Sequence, residues 1–256
     1  VQGEGQVQDS TGRINPTGVA MRRMLQAAVA AVMVMSAGRA EAQMPTAQQV
    51  YDKFAQAVGG REAWAKVTGR TEKGTADITF ANISGSYERY SSMPNKMRMI
   101  IDLQMAKIDQ GFDGEKGWMD QGMGAQRMPA EQEKSLAEPS ANGASFLDVS
   151  RYAKATVEGK ETANGVECYK LAITTKSGQE SLEYFDVATG LRVMTIGKTP
   201  MGEQKIMYQN YKEFEGKKVA TKVVQATPQG DVIINIQTVT FGAPDAAMFK
   251  APDSIK

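Results

Sequence analysis

The spacing of apolar residues changes period once along this chain, and that change predicts most of its elements. Val50, Phe54 and Val58 fall at i, i+4 and i+8, which makes one apolar helical stripe. Thr46 precedes the stripe as a good N-cap, and Gly59-Gly60 ends it. Arg61 to Val67, with Trp64, predicts a second short helix. From Arg70 onward the period becomes two. Ala76, Ile78 and Phe80 alternate with polar neighbours, and so do Met97, Met99, Ile101 and Leu103 after the turn at Met93-Pro94-Asn95. Tyr169, Leu171 and Ile173 share a face after Asn164-Gly165. Further strands are expected at 180–186, 191–198, 203–214, 218–227 and 231–241.

Turn signals punctuate these runs at short intervals: Ser177-Gly178, Thr189-Gly190, Glu215-Gly216 and Pro228-Gln229-Gly230. Short connections favour antiparallel neighbours. The expectation is a mainly β (α+β) protein with 11–12 strands in sequential hairpins. A meander that wide has to curl or close. Pro129 to Tyr152 interrupts it as a polar, Ala-rich, helix-compatible insertion. Such an insertion can cover one opening of a curved sheet.

The start of the chain reads differently. Met21-Arg22-Arg23, an apolar run from Met24 to Met35 and Ala40-Glu41-Ala42 have the order of a cleavable secretory signal. The run is too short for a membrane helix, which needs about 20 residues. Three segments are therefore expected: an upstream leader at 1–20, a signal peptide at 21–42 and one folded domain at 43–256. Export implies the periplasm. Gln43 stands where a lipoprotein would carry cysteine, and no stable membrane insertion is expected.

Composition narrows the function. From Gln43 on, 26 Lys and Arg face 26 Asp and Glu, so there is no basic surplus for a nucleic-acid partner. Histidine is absent, which removes Ser-His and Cys-His nucleophiles, most zinc sites and the usual neutral-pH base. Cys168 is the only cysteine and lies in a strand-like run, as an inert buried thiol would. No cofactor, metal or catalytic residue is expected, and the chain is not read as an enzyme.

Seven of the 16 methionines fall between Met93 and Met128. Methionine is flexible and polarizable, and suits a surface that repacks around varied apolar ligands. Met97, Met99, Ile101, Phe112 and Trp118 are the candidate lining of an apolar cavity, with Phe146 and Leu147 on a lid. The same residues can instead fill a core, and thioethers can also hold a soft metal such as Cu(I). Two local motifs read as turns: Asp109 to Glu115 as a hairpin, and Asp186 to Gly190 as an Asp-to-Gly turn. Lys217-Lys218 is expected on a solvated edge.

Several motifs taken in order carry a family likeness. They are the Gly-Gly-terminated helix, Gly111-Phe112-Asp113-Gly114 with Trp118, Asn164-Gly165 with Cys168-Tyr169-Lys170, and Tyr184-Phe185-Asp186 with Thr189-Gly190-Leu191. Tyr208, Tyr211, Phe214 to Val219, Pro244-Asp245, Phe249 and Pro252 complete the set. Over 46–252 the chain resembles the outer-membrane lipoprotein-sorting proteins, the Lol-type carrier superfamily of the bacterial periplasm. The resemblance implies an incomplete, curved antiparallel β-barrel with N-terminal and inserted helices over its concave side. It also implies a cargo of lipids or lipoprotein acyl chains, with envelope membrane proteins as further partners. Arg89 and Arg98 are, by position, the candidates for a basic residue in that space. A sensor or interaction module of the same fold, with a filled core and no cargo, is the other function that the resemblance allows.

Overall fold

The computed structural model describes residues 43–137, 143–199 and 202–255. The expected leader and signal peptide at 1–42 lie outside these residues. The first helix, α1 (Ala47–Ala57), begins where sequence places it. Thr46 Oγ1 accepts from the Gln49 amide at 3.2 Å, and Gln49 Oε1 accepts from the Thr46 amide at 2.8 Å. This reciprocal capping box satisfies two donors that a helix start otherwise leaves open. Gly59, at φ 110°, ends the helix. A Cβ there would meet the Gly216 carbonyl oxygen at 2.3 Å, so only glycine lets the chain pass this close. The short helix α2 (Arg61–Ala65) follows, and the Trp64 indole N–H donates back to the Val58 carbonyl at 3.0 Å.

The strands are β1 (Gly69–Ile78), β2 (Ile83–Ser92), β3 (Lys96–Asp102), β4 (Lys107–Phe112), β5 (Gly117–Asp120) and β6 (Gln126–Arg127). After α3 (Ala130–Ala137) and two 3-10 turns, Gly143–Leu147 and Val149–Arg151, come β7 (Lys154–Ala163), β8 (Val166–Thr174) and β9 (Glu180–Asp186). They are followed by β10 (Arg192–Thr199), β11 (Gly202–Phe214), β12 (Lys217–Thr227) and β13 (Gly230–Phe241). All 13 form one antiparallel sheet in the order β6-β5-β4-β3-β2-β1-β13-β12-β11-β10-β9-β8-β7. The sheet does not close on itself, so the architecture is an incomplete curved barrel. It is built from two meanders, β1–β6 and β7–β13, zipped together by pairing of β1 with β13.

The count exceeds the expected 11–12 because β6, two exposed residues long, is too short to show any alternation. β7 reads Lys-Ala-Thr-Val-Glu-Gly-Lys-Glu-Thr-Ala, which is the polar character an edge strand uses against unwanted pairing. The expected turns are present. Asp113 Oδ1 accepts from the Glu115 and Lys116 amides, and Asp186 Oδ1 accepts from Ala188 and Thr189. Lys217 corrects an expectation. It lies on an internal strand and is buried, with its ammonium 4.2 Å from the Phe241 ring centre.

The main core sits between one sheet face, here the inner face, and the helices. Val50, Tyr51, Phe54, Ala55, Val58 and Trp64 from the helices meet Ile101, Leu171, Ile173, Phe185, Val219, Ile236 and Val239 from the strands. Phe54 stands at the centre, with its ring 5.3 Å from Phe185 and 5.9 Å from Phe146. A smaller cluster with Cys168, Tyr184 and Met194 lies on the other face of β8–β10. Cys168 is buried there, and burial pushes its thiol pKa up to about 11.

Two phenylalanines test where the stability resides. Phe54→Ala should cost about 3–5 kcal/mol, the usual range for truncating a buried aromatic. Phe80, at 54% exposure, should cost within about 0.5 kcal/mol on the same change. Urea denaturation midpoints of the two variants measure both.

Candidate binding site

Hairpin register decides which candidate residues share a face. Met97 stands opposite Phe112, Met99 opposite Gln110, and Ile101 opposite Ile108. Met97, Met99, Ile101 and Phe112 therefore all point to the inner face. Ile101 and Leu147 are buried in the main core, with Met99 and Phe146 packed against it. Phe146 meets Trp64 edge-on at 4.8 Å and Phe54 at 5.9 Å. Phe112 is fully buried but lies outside that cluster.

Trp118 is separated from the others. It stands opposite Gly111, which in turn faces Arg98, so its side chain is on the outer face. The indole lies across Gly111, where an added Cβ would come within 2.2 Å of the ring. The cause is one residue of register. The β4–β5 turn sets Phe112 opposite Gly117, and a shift of one position inverts the face of every residue after it. Arg98 belongs to the same outer face and makes a two-pronged ion pair with Asp109, at 2.9 and 2.6 Å.

Sequence reasoning missed a polar group set into the inner face. Glu183 is in phase with Phe185 on β9, and Arg192 on β10 stands directly opposite Phe185. Glu183 is almost wholly buried. The Tyr51 hydroxyl of α1 donates to Glu183 Oε2, and the Tyr152 hydroxyl donates to Oε1 at 3.0 Å. Arg151 in turn donates to the Tyr152 hydroxyl at 2.7 Å. Helix α1 and the 3-10 segment are thus latched to the sheet through one carboxylate. The Arg192 guanidinium carbon lies 4.5 Å from the Tyr208 ring centre and 5.7 Å from that of Phe54. Its closest approach to Glu183 is 3.6 Å.

A second polar pair lies on β1 and β2. Glu72, also buried, faces Arg89 across the strands, and it takes an ion pair from Arg70 at 3.1 Å and a hydrogen bond from Tyr87 at 3.4 Å. The Nε atoms of Arg89 and Arg192 are buried with no hydrogen-bond partner among the described residues. Leaving a buried donor unmade costs about 1–3 kcal/mol. Both guanidinium pKa values nevertheless sit above the ordinary value. Burial opposes the charge, and it is outweighed by Tyr87, Glu72 and Tyr208 around Arg89, and by Tyr208, Glu183, Tyr211 and Tyr51 around Arg192. One sequence signal pointed here: Glu183 occupies an apolar-phase position. Nothing local marked Arg192, and Tyr208 stood out only as one of the residues of the family likeness.

Two surface depressions add to this. One, of about 220 Å³, is lined by Met119, Met123, Met128, Gln121 and Gln132 beside β5 and β6. The other, of about 440 Å³, lies along α1 and α2 around Gly59, Arg61 and Lys66. Neither is lined by any of the seven candidate residues. Among the described residues, no group of three or more His, Cys, Asp or Glu could hold a metal ion.

No protein-family model and no curated protein sequence matches the chain. Solved structures do. A DUF1329 family protein from Desulfovibrio piger is similar over 82% of this chain and 98% of its own, with TM-score 0.54 and 15% identity. A LolA superfamily protein from Nitrosomonas europaea is similar over 81% of this chain and 99% of its own, with TM-score 0.54 and 14% identity. An outer membrane lipoprotein-sorting protein domain from Vibrio parahaemolyticus is similar over 77% and 97%, with TM-score 0.51 and 13% identity. The chain therefore shares the fold of these three structures.

The latch has an alkaline signature. Burial first, and then the Glu183 charge, raise the Tyr51 pKa well above its ordinary 10.0 and raise that of Tyr152 too. A group whose pKa is higher folded than unfolded contributes stability that is complete below the unfolded value and is lost as pH rises above it. Urea stability should therefore fall above about pH 10, the ordinary tyrosine value. Tyr51→Phe should lower stability at pH 7 by about 1.5–3 kcal/mol, the worth of a hydrogen bond to a charged group. It should also flatten the alkaline fall. An unchanged alkaline slope would exclude Tyr51 as its source.

Proposed function

We propose that this chain is a non-catalytic binding protein or carrier of the bacterial periplasm that shields lipid or lipoprotein acyl chains from water. One observation carries this reading. The apolar inner face of the sheet is covered by small separable elements, α1, α2 and the 3-10 turns, rather than by a second sheet. The likeness to lipoprotein-sorting structures supports it, and so does the secretory pattern at 21–42. Met97, Met99, Ile101 and Phe112 on the sheet, with Phe146 and Leu147 on the cover, are the proposed acyl contacts. Trp118 would act from behind the sheet.

Magnitudes allow a reversible exchange. In the state described here, the cover's own aromatics occupy the inner face. Exposing three of them, such as Phe54, Trp64 and Phe146, costs about 5–9 kcal/mol at about 1.5–3 kcal/mol each. Burying a 15-methylene chain contributes about 12 kcal/mol at about 0.8 kcal/mol per CH₂. The balance favours the bound chain by only about 3–7 kcal/mol, so a chain can enter and leave without covalent chemistry. Envelope membrane proteins would load it or receive it.

The occupied inner face also favours a second reading, an envelope sensor or interaction module with no lipid cargo. Solvent extraction and mass spectrometry of the purified protein, with titration of a fluorescent fatty acid, separates the two. The carrier reading expects co-purifying lipid and saturable binding. Absence of both would leave the interaction module.

A further inference from the structure

We propose that the inner face carries an oxyanion site, centred on Arg192 and completed by Arg89, that receives the acidic head of a single-chain amphiphile. This deepens the carrier reading and rests on it. The first ground is charge. The two carboxylates on this band, Glu72 and Glu183, face three guanidiniums, Arg70, Arg89 and Arg192. Both carboxylates are already engaged. Glu72 takes Arg70 and Tyr87, and Glu183 takes the hydroxyls of Tyr51 and Tyr152 as well as Arg192 at 3.6 Å, so the unmatched guanidinium is that of Arg89. One positive charge is left without a matching carboxylate.

The second ground is unmade hydrogen bonding. Arg89 Nε and Arg192 Nε are both buried donors with no acceptor among the described residues. Buried polar groups in folded proteins nearly always find a partner, and a guanidinium offers a fork that matches a carboxylate or a phosphate. Tyr208 lies under the Arg192 guanidinium, and Arg89, opposite Met99 and Glu72, belongs to the same inner face. The third ground is access. The Arg192 side chain keeps 19% exposure although its Nε is sealed, so part of the side chain reaches solvent. Phe54 lies against the same guanidinium. An acyl chain that displaced the Phe54 ring would leave its head at Arg192.

The ligand class is an acyl chain ending in an oxyanion, either the carboxylate of a free fatty acid or the phosphate of a lysophospholipid. A neutral lipid of equal length would fill the apolar space and leave the two Nε donors unmet.

The test uses the purified protein and two fluorescent probes of one chain length, cis-parinaric acid and its methyl ester. Wild type should bind the acid at least tenfold more tightly than the ester. Arg192→Gln and Arg89→Gln should each remove most of that preference while ester affinity changes less than twofold. Lys212→Gln, at an exposed position of β11 outside the site, should keep the preference. It also serves as a folding control, alongside urea midpoints for every variant. Arg192→Lys keeps the charge but not the fork, and should fall between wild type and Arg192→Gln. Competition by palmitate, lysophosphatidic acid and inorganic phosphate identifies the head: displacement by either lipid supports the site and names the oxyanion. Displacement by phosphate as effective as that by the lipids would overturn the requirement for a chain. Equal binding of acid and ester by wild type overturns the oxyanion site and leaves the carrier reading standing. Absence of binding by both probes overturns the two together.

Discussion

A curved sheet whose inner face carries Ile101, Leu171, Ile173, Phe185, Val219, Ile236 and Val239 cannot leave that face in water. Everything else in the structure answers this constraint. The cover is small: an 11-residue helix, one short turn of helix and two 3-10 turns. It succeeds because it is aromatic. Tyr51, Phe54, Trp64 and Phe146 present large rings, and edge-to-face contacts with one another and with Phe185 set their relative angles. Apolar contact alone is tolerant of sliding. The hydroxyl of Tyr51 on Glu183 is not, so the carboxylate fixes where the helix sits.

Buried charge of this kind is an expensive way to hold a helix. A well-packed apolar pair of similar volume is often as stable as an ion pair taken out of water. Glu183 and Arg192 are therefore better understood as positional devices than as sources of stability. Their presence also changes the character of the space. The inner face is neither uniformly greasy nor uniformly packed, but an apolar surface crossed by a band of guanidinium and carboxylate groups from β1, β2, β9 and β10.

Legibility in sequence followed the range of the interactions involved. The α1 start was readable because Thr46 and Gln49 are three residues apart, and the turn at Asp186 because its partners are two and three residues on. The alternation of Tyr169, Leu171 and Ile173 announced their face. Trp118 was assigned to the wrong face because a hairpin register, not proximity to Phe112, decides it. β7 was faint because only Ala155 and Val157 carry its alternation before the strand turns polar. Lys217 read as solvated because the Phe241 ring beneath it comes from another strand. The Tyr51–Glu183 contact joins positions 132 residues apart, and no local pattern encodes such a distance. Four of the seven candidate residues, Met99, Ile101, Phe146 and Leu147, meet in the main core. Their alternation and their place in the insertion were visible, but the aromatic rings filling the space between them were not.

The strand order has a consequence of its own. β6 and β7 follow one another along the chain yet form the two outer edges of the sheet, while β1 and β13, far apart in the chain, form its central seam. Each half-sheet is a contiguous meander that pairs only with near neighbours. Among the strand pairings, long-range closure falls on a single ladder between Gly69–Ile78 and Gly230–Phe241. Because loop-closure entropy grows only logarithmically with the length enclosed, the material between the two leaves can lengthen at little cost. The topology thus concentrates fidelity in one place and leaves the outer margins free to diverge.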